Sequence, residues 1–376
     1  MARRVFVAVL LGLILGLAAS HAGAQPRFEY RTQILGFQQQ FARISWQLDY
    51  PDHTEKIAQS YVPVVFDLAV SRNSHVLIST AGIWSNAVLP VDYDMNGVTD
   101  TQVRFSQRFA DRWQFGAGVN LPTGKSKLDY DQNVVANRLT ESILGFPLQR
   151  LGAGTDLEFS LAHALNLSET LGLGFGGSFI LPGEFEFRQR QPDTYTPGAR
   201  YILNTTLNHI GAAVPWQASM LVQFYGPDQL NRRNFFRQGW QLEPSLGWDW
   251  KFASQWALGG NLRHILKDEN EILGSPGDAQ PPEHFYIDNS TFAALALNRN
   301  WSRRVRAGVH LGWSHFGGSN QQLSRATIWR LNLNSAIKIS EHFILNAGGD
   351  YASGQAESGT INLHGYGAAI SLAARF

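Results

Sequence analysis

The feature that most constrains this chain is a strict alternation of apolar and polar residues over segments of ten or more residues. Between Ser254 and Lys267, the side chains of Trp256, Leu258 and Leu262 fall on one face of an extended chain and polar side chains fall on the other. The segment from Arg237 to Phe252 has the same period. Such length is typical of a tilted strand that crosses a bilayer. The pattern predicts an all-β protein whose sheet has one apolar and one polar face.

The composition excludes several other classes of protein. The chain has 376 residues, of which 44% are apolar and 12% aromatic, which is ample for packing and argues against a disordered chain. A net charge of only +1 gives no excess of cations for phosphate contacts, so we expect no nucleic-acid partner. The chain has no cysteine, which excludes disulfides, thiolate metal sites and a cysteine nucleophile.

The first two dozen residues have the pattern of a secretory signal peptide. Arg3 and Arg4 form a positive segment, Val5 to Ala19 is apolar, and Ala22 to Ala24 is a small-residue cleavage site. We therefore predict a signal peptide over residues 1–24 and a mature chain that begins at Gln25. The alternative, a single membrane-spanning helix, is disfavoured because the apolar segment is short.

Tight polar turns alternate with longer polar connections along the remaining chain. Such a division into short turns at one rim and long loops at the other is typical of an outer-membrane barrel. The short turns are Ala110 to Arg112, Leu167 to Glu169, Ala253 to Gln255, Trp301 to Arg303 and Ser340 to His342. The longer connections are Gly124 to Leu151, Gly183 to Thr196, Lys267 to His284 and Gly317 to Ser324.

These observations predict a closed antiparallel transmembrane β-barrel of about 16 strands, within a range of 14 to 18. The first strands are expected at Gln39 to Tyr50 and Ile57 to Val70. Residues 25–38 would be a periplasmic lead-in or the start of the first strand, and residues 39–376 the barrel. A secreted or periplasmic β-sandwich is the competing fold. It would not require tryptophans near the strand ends, where an aromatic girdle would place Trp113, Trp240, Trp250, Trp256 and Trp329.

The last predicted strand runs from Ile361 to Phe376 and ends in an aromatic residue. This ending resembles the terminal assembly signal of bacterial outer-membrane barrels, and the resemblance implies the barrel assembly machinery as a partner. The predicted location is the outer membrane of a Gram-negative bacterium, with periplasmic termini and with outer-membrane lipid and lipopolysaccharide around the barrel.

The polar face of the predicted sheet carries too much charge for a dry interior. About 16 strands would enclose an aqueous channel unless a loop fills it. Alternatively, these charges pair with one another and merely keep the interior hydrated. The residues expected to line the pore are Arg104, Arg108, Asp156, Glu158, Glu243, Asp249, Arg263, Lys267, Arg306, Arg330 and Lys338, and the same alternation adds Arg43, Asp67, Lys251 and Asp350.

One region resembles a known family of proteins. The segment from Asn96 to Lys125 ends in Leu121-Pro122-Thr123-Gly124, and a Gly-rich strand follows from Leu151. Both resemble the outer-membrane barrel family associated with the meta-cleavage pathway of phenol degradation. The resemblance implies a transporter-like barrel for small solutes, aromatic or hydrophobic compounds included. The Asn-Pro-Ala-Gly motif of long-chain fatty acid transporters is absent.

A possible metal site lies within the same region. Asp92, Asp94, Asn96 and Asp100 offer oxygen ligands at alternating positions, with a glycine at the sixth position of the segment. This spacing is typical of a calcium loop, although the twelfth residue is Val103 rather than the usual glutamate. An ordinary turn rich in Asp, Asn and Gly is the simpler interpretation. No other cofactor is predicted.

The function that these patterns favour is a channel or transporter-like barrel for passive passage or uptake of small solutes. A non-conducting accessory barrel for surface assembly or secretion is the alternative, and a segment Gly124 to Leu151 folded into the interior would favour a gate or a plug. An outer-membrane lipid hydrolase is the least favoured, because the spacing of His315 and Ser319, with Gly317 between them, departs from that of the outer-membrane phospholipases. We predict no catalytic residue and no enzymatic activity.

Overall fold

The computed structural model describes residues 36–375 except 111, 187–192, 212–213, 274–282, 286–288, 319–322 and 324. The predicted signal peptide and Phe376 lie outside the described residues. The strands of the main sheet are β1 (Gly36–Asp49), β2 (Thr54–Ser71), β3 (Ser74–Val88), β4 (Asp92–Val98), β5 (Thr101–Phe109), β6 (Trp113–Leu121), β7 (Asp156–Asn166), β8 (Leu171–Leu181), β11 (Arg200–His209), β12 (Trp216–Tyr225), β15 (Gln241–Trp250), β16 (Trp256–Lys267), β19 (Ser290–Asn300), β20 (Val305–Phe316), β21 (Thr327–Lys338), β22 (Phe343–Ala356) and β23 (Ile361–Arg375).

These 17 hydrogen-bonded segments form a closed barrel of sixteen strands. The segments β4 and β5 both pair with β3 and act as one strand that is interrupted at residues 99–100. Strand β1 pairs antiparallel with β23, from Gly36 opposite Arg375 to Asp49 opposite Asn362. The closure leaves no free edge, as a sheet in hydrocarbon requires. It confirms the predicted fold and strand number, and it places both ends of the barrel chain at one rim.

That rim, called the turn rim here, is built largely from short turns. In three of the turns a serine hydroxyl, that of Ser168, Ser302 or Ser340, accepts hydrogen bonds from the backbone N–H groups two and three residues later, at 3.1 to 3.2 Å. A serine at this position stabilises a tight turn by replacing a backbone acceptor. This explains why the short turns recur with similar sequences. Asp111, in a fourth predicted turn, lies outside the described residues.

The outer face of the barrel is apolar around most of its circumference. Large apolar side chains at alternate strand positions are exposed, and the residues between them point inward; examples are Phe159, Leu161, Leu246, Leu262, Leu295, Leu311, Leu331 and Ile370. Trp113, Trp250 and Trp256 lie at strand ends on the turn rim, while Trp329 and Trp240 lie near the opposite rim. A closed sheet with an apolar exterior suits a lipid environment and not the predicted alternative of a β-sandwich.

The opposite rim, called the loop rim, carries the remaining secondary structure. Helix α1 (Tyr130–Leu139) lies within the long connection between β6 and β7, and a short 3₁₀ helix spans Glu357–Gly359. A second, six-stranded antiparallel sheet extends the hairpins between β8 and β19 beyond this rim. Its strands are β9 (Phe185–Glu186), β10 (Thr194–Thr196), β13 (Pro227–Leu230), β14 (Arg233–Arg237), β17 (Asn270–Ile272) and β18 (Glu283–Phe285). No helix in the described part of the chain combines the length and the apolarity needed to cross a bilayer.

The alternation of the two faces can be tested with neighbouring substitutions in β19. Leu295 is exposed on the outer face, whereas Ala294 points inward. We expect Leu295→Lys to reduce the free energy of unfolding in lipid vesicles by about 2–4 kcal/mol, because a lysine in mid-strand would face hydrocarbon. Ala294→Lys should change it far less. Equal effects in a guanidinium titration would contradict the assigned faces.

Candidate functional site

The segment between β6 and β7, residues 122–155, folds into the barrel and is called the inward loop here. Its helix buries Val135 and Leu139 against inward side chains of the wall such as Ile83 and Met95. The helix starts with a capping box, in which the Asp129 carboxylate accepts the backbone N–H of Gln132 at 2.9 Å. The inward loop therefore carries its own ordered helix into the apolar core.

The two ends of the inward loop are fastened at one buried carboxylate. Asp100 accepts hydrogen bonds from the backbone N–H groups of Gly124, at 2.8 Å, and Ala153, at 2.7 Å. Asn120 donates a third hydrogen bond at 3.0 Å, and the Asp100 N–H donates to the carbonyl of Leu151 at 3.0 Å. A side chain at Gly124 would lie 2.1 Å from that carbonyl oxygen, so only glycine permits the approach.

Polar contacts attach the inward loop to the wall farther along. The buried indole of Trp46 donates to the carbonyl of Leu144 at 2.8 Å. The Gln59 amide donates to the carbonyl of Leu148 at 2.6 Å and accepts from the Leu148 N–H at 3.3 Å. These contacts satisfy loop backbone groups that water cannot reach. They fix the position of the loop on β1 and β2 as well as at its base.

A charged cluster lies where the helix meets the loop rim. Arg138 of α1 forms an ion pair with the nearly buried Glu55 of β2 at 2.9 Å, and His53 approaches the same carboxylate at 3.6 Å. Burial raises the pKa of Glu141 nearby; Arg138 opposes this rise and Glu55 adds to it. Burial also raises the pKa of Tyr50 to about 12, so the phenol stays protonated. The inward loop is thus also held to the wall by an ion pair, beside a carboxyl group whose pKa is raised.

Burial divides the barrel wall into two halves. The inward faces of β1 to β4 and of β20 to β23 contribute to one buried apolar cluster with the inward loop. By contrast, none of the described residues of β6, β7, β8, β11, β12, β15 and β16 is buried. We call this second set of strands the bare wall. The inward loop therefore lines one side of the interior and leaves the other side uncovered.

The strand register places all eleven predicted pore residues on the inward face, because each alternates with a residue of the apolar outer face. On the bare wall and its neighbours, Arg104 pairs with Glu158 at 3.3 Å and Arg263 with Glu243 at 3.4 Å. The inward residues are Arg104 and Arg108 on β5, Asp156 and Glu158 on β7, Glu243 and Asp249 on β15, Arg263 and Lys267 on β16, Arg306 on β20, and Arg330 and Lys338 on β21. Their role in a pore stays a prediction.

Three cations of this set, called the strip here, lie along two adjacent strands, with Arg306 and Lys338 toward the turn rim and Arg330 toward the loop rim. Arg306, Arg330 and Lys338 are exposed to the interior, and none of them has a charged partner among the described residues. The expected pairing of charges therefore holds for two pairs and not for this strip. Unpaired cations on a pore wall attract anions.

Two of the additional residues predicted to face the interior are placed differently. Arg43 points outward and donates to Ser60 at 3.2 Å, because the buried Trp46 fixes the even-numbered residues of β1 as the inward ones. Lys251 lies in the turn after β15. Asp67 and Asp350 do point inward, Asp67 near His75 at 3.6 Å.

The predicted calcium loop is not formed. Asp92, Asp94 and Asn96 belong to the extended strand β4, pair with β3 and point outward, whereas Asp100 is occupied with the base of the inward loop. An extended chain cannot wrap around an ion. Among the residues that the structure describes, no group of three or more His, Asp or Glu side chains is placed to hold a metal. Sequence reasoning thus found Asp100 but assigned it the wrong partners.

The histidine and the serine considered for a lipid hydrolase lie only partly within the described residues. The ring of His315 points outward beside Trp313 and lies 3.1 Å from the hydroxyl of Thr327. Ser319 lies outside the described residues.

A group of amides on the inner wall was missed from the sequence. Asn298, Asn332, Asn334 and Asn346 point inward on β19, β21 and β22 and border a cavity of about 440 Å³. Their signal in the sequence was the spacing of Asn332 and Asn334 by two residues within an alternating strand. Only the charged residues were considered there as candidates.

Comparisons with known proteins show similarity in fold only. No family model and no curated protein matches the chain, so the resemblance to the phenol-pathway family is unconfirmed. Among solved structures, CdiB from Acinetobacter baumannii has a TM-score of 0.49 and 10% identity over 90% of this chain and 60% of that one. OprB from Pseudomonas putida has a TM-score of 0.48 and 8% identity over 91% of this chain and 94% of that one. A mutant of the TodX monoaromatic hydrocarbon channel has a TM-score of 0.46 and 8% identity over 92% of this chain and 91% of that one.

The role of Asp100 can be tested by its removal. We expect Asp100→Ala to release the base of the inward loop, because each lost hydrogen bond to a carboxylate is worth roughly 1.5–3 kcal/mol. Amide hydrogen exchange within residues 124–151 should accelerate at least tenfold. The control is Asp94→Ala, which removes an outward carboxylate. Unchanged protection in Asp100→Ala would contradict the role of the carboxylate.

The charged cluster predicts a pH dependence of loop docking. Because the pKa of Glu141 is raised in the docked loop, docking loses stability as the pH rises from the ordinary glutamate value through the raised pKa. Between about pH 7 and pH 5, exchange protection of residues 124–151, corrected for intrinsic rates, should therefore increase several-fold. Glu141→Gln should remove most of this increase, while Glu341→Gln in a turn should not. A pH response that survives Glu141→Gln would assign it to another group, such as His53.

Proposed function

We propose that this protein is an outer-membrane channel through which small water-soluble solutes diffuse, with a width set by the inward loop. A sixteen-stranded barrel is wide enough to leave an aqueous passage when its interior is not filled. The inward loop fills part of this interior and is held by specific contacts, as a constriction would be.

The observation that carries this proposal is the contrast between the two halves of the wall. On the bare wall most large apolar side chains face outward, and the charged and amide side chains face inward beside a few apolar ones such as Ile180 and Leu221, yet no described residue there is buried. Both faces of these strands are thus accessible, one to lipid and the other to the interior. A barrel filled by a plug would bury inward side chains all around.

The chemistry of the interior favours polar solutes over the aromatic or hydrophobic compounds that the family resemblance implied. On the bare wall, inward positions hold residues such as Gln217, Ser245 and Asn261. The charges of Arg104 and Arg263 are neutralised by Glu158 and Glu243. The strip of Arg306, Arg330 and Lys338 has no charged partner among the described residues. We therefore infer a preference for anions.

The same contrast favours a channel over a non-conducting accessory barrel. The inward loop occupies the interior, as the predicted gate or plug would, but it packs on one side. Its base is fastened at one buried carboxylate and its helix at one ion pair, and a change in these polar contacts would suit a gate that can change position.

The proposal includes the cellular setting. We infer a turn rim in the periplasm, an apolar belt in contact with outer-membrane lipid and lipopolysaccharide, and insertion by the barrel assembly machinery through β23. Passive passage requires neither an enzymatic site nor a cofactor, calcium included.

The test is single-channel recording of the refolded protein in planar bilayers under a salt gradient. We expect discrete conductance steps and a reversal potential that indicates anion preference. Arg330→Glu combined with Lys338→Glu should shift the permeability ratio several-fold toward cations, because the strip loses two cations and gains two anions. The control is Lys56→Glu, on the outer side of β2.

Failure takes two distinct forms in this experiment. Folded protein without conductance steps would overturn the channel in favour of the accessory barrel. Steps with an unchanged reversal potential in the double variant would remove the strip from the conduction path.

A further inference from the structure

The amide pocket, named for Asn298, Asn332, Asn334, Asn346 and Gln40, lies on the inner wall formed by β19 to β23 and β1. Its volume of about 440 Å³ falls within the range of small-molecule sites. It lies in the half of the barrel nearer the turn rim, since Arg306 is the second residue of β20 and Asn346 the fourth of β22. The inward loop packs nearer the other rim. A solute that passes the loop would therefore reach this pocket.

Hydrogen bonds order the amides within the pocket. The Asn334 side-chain N–H groups donate to Nε2 of His310, at 3.0 Å, and to Oδ1 of Asn332, at 3.2 Å. The Asn346 amide donates to the hydroxyl of Ser371 at 3.1 Å. The amide side chains therefore have defined orientations before any solute binds.

These bonds leave both donors and acceptors available. Oδ1 of Asn334 and Oδ1 of Asn346 remain as acceptors, and the Asn332 side-chain N–H groups remain as donors. Gly308 and Gly348 lie between the amides, and a side chain at Gly308 would stand 2.4 Å from Oδ1 of Asn298. The absence of a side chain at Gly308 therefore leaves the space in which the amide side chains converge. A mixed set of donors and acceptors matches hydroxyl groups, each of which donates and accepts.

Arg306 is the cation that borders the pocket. It has no charged partner within the described ranges, so an anionic group can approach it without displacing a carboxylate. The inward Asp350 lies opposite Asn332, but its carboxylate extends over Gly367, where a side chain would stand 2.1 Å from Oδ1. One cation at one end and amides beyond it match one negative charge on a hydroxylated molecule.

We propose that the amide pocket binds a hydroxylated monocarboxylate, the class of the sugar acids. Arg306 contacts the carboxylate, and the amides of Asn332, Asn334 and Asn346 contact the hydroxyls. The proposal rests on the channel function, because the pocket is reached through the barrel, and it names the solute class for that function.

The test uses D-gluconate, D-glucose and acetate as probes on the refolded, full-length protein. Calorimetric titration should show that gluconate binds more tightly than glucose, which lacks the charge, and than acetate, which lacks the hydroxyls. Gluconate should also interrupt the potassium chloride current of single channels. Arg306→Gln should weaken gluconate binding about tenfold or more, since a hydrogen bond between charged groups is lost.

Arg200→Gln is the matched control, because it removes one inward cation from β11 without touching the pocket. Gluconate affinity should stay within about twofold of the original in this variant, as a screened distant charge contributes little. Asn332→Leu should weaken gluconate and glucose alike and leave acetate unchanged.

Three results would overturn the proposal. The first is an equal loss of gluconate affinity in Arg306→Gln and Arg200→Gln, which would indicate a general electrostatic field. The second is equal affinity for gluconate and acetate, and the third is no gluconate binding by channels that conduct potassium chloride. Absence of potassium chloride steps would instead overturn the channel function. Because calorimetry does not depend on conduction, binding of gluconate can be judged separately in that case.

Discussion

The pairing of backbone N–H and C=O groups is the constraint on which the rest of this structure depends. Hydrocarbon offers no hydrogen bonds, so a sheet that faces lipid must close on itself, and here β1 meets β23 along 14 residue pairs. Closure separates an outer from an inner face and a turn rim from a loop rim. The even number of strands follows from having both ends at the turn rim. Every later feature occupies one of these faces or rims.

The apolar core lies in an unusual place as a consequence. The sheet does not pack against a second layer, and the buried apolar residues instead fill the space between the inward loop and one half of the wall. Trp46, Ile57 and Ile83 therefore point inward although they are apolar. Their burial requires polar partners for the loop backbone, which Gln59 and Trp46 supply. The position of the inward loop thus depends on hydrogen bonds from the wall, and the wall in turn depends on the closure of the sheet.

This arrangement explains where sequence reasoning succeeded and failed. On much of the bare wall the period of two is regular, and Glu158 and Glu243 were placed correctly because their neighbours in sequence are apolar and face lipid. On β1 to β4 both faces carry apolar residues, since one face meets lipid and the other the inward loop. The alternation on these strands therefore does not show which face points inward, and this is why Arg43 was assigned to the wrong face. Strand count and closure needed only the overall period.

The misreading of residues 92–100 has a related cause. Alternating acidic and amide residues can wrap an ion in a loop or line one face of a strand, and the local sequence is compatible with both. The choice is made by β3, whose pairing holds Asp92 to Val98 extended. Asp100, released from the strand, meets Gly124 and Ala153, which are 24 and 53 residues away. No local spacing encodes contacts of that range.

The interior is chemically asymmetric because its two halves have different physical roles. Near the loop rim, the covered half uses its inward positions to pack the inward loop, and Glu55 there is paired with Arg138 of that loop. The bare wall packs against no loop, and its inward side chains line the uncovered side of the interior. At the edge of the covered half, strand β20 places Phe316 in the apolar core. Arg306 of β20 and Asn334 of β21 lie farther toward the turn rim. The amide pocket thus begins where the packing of the inward loop ends.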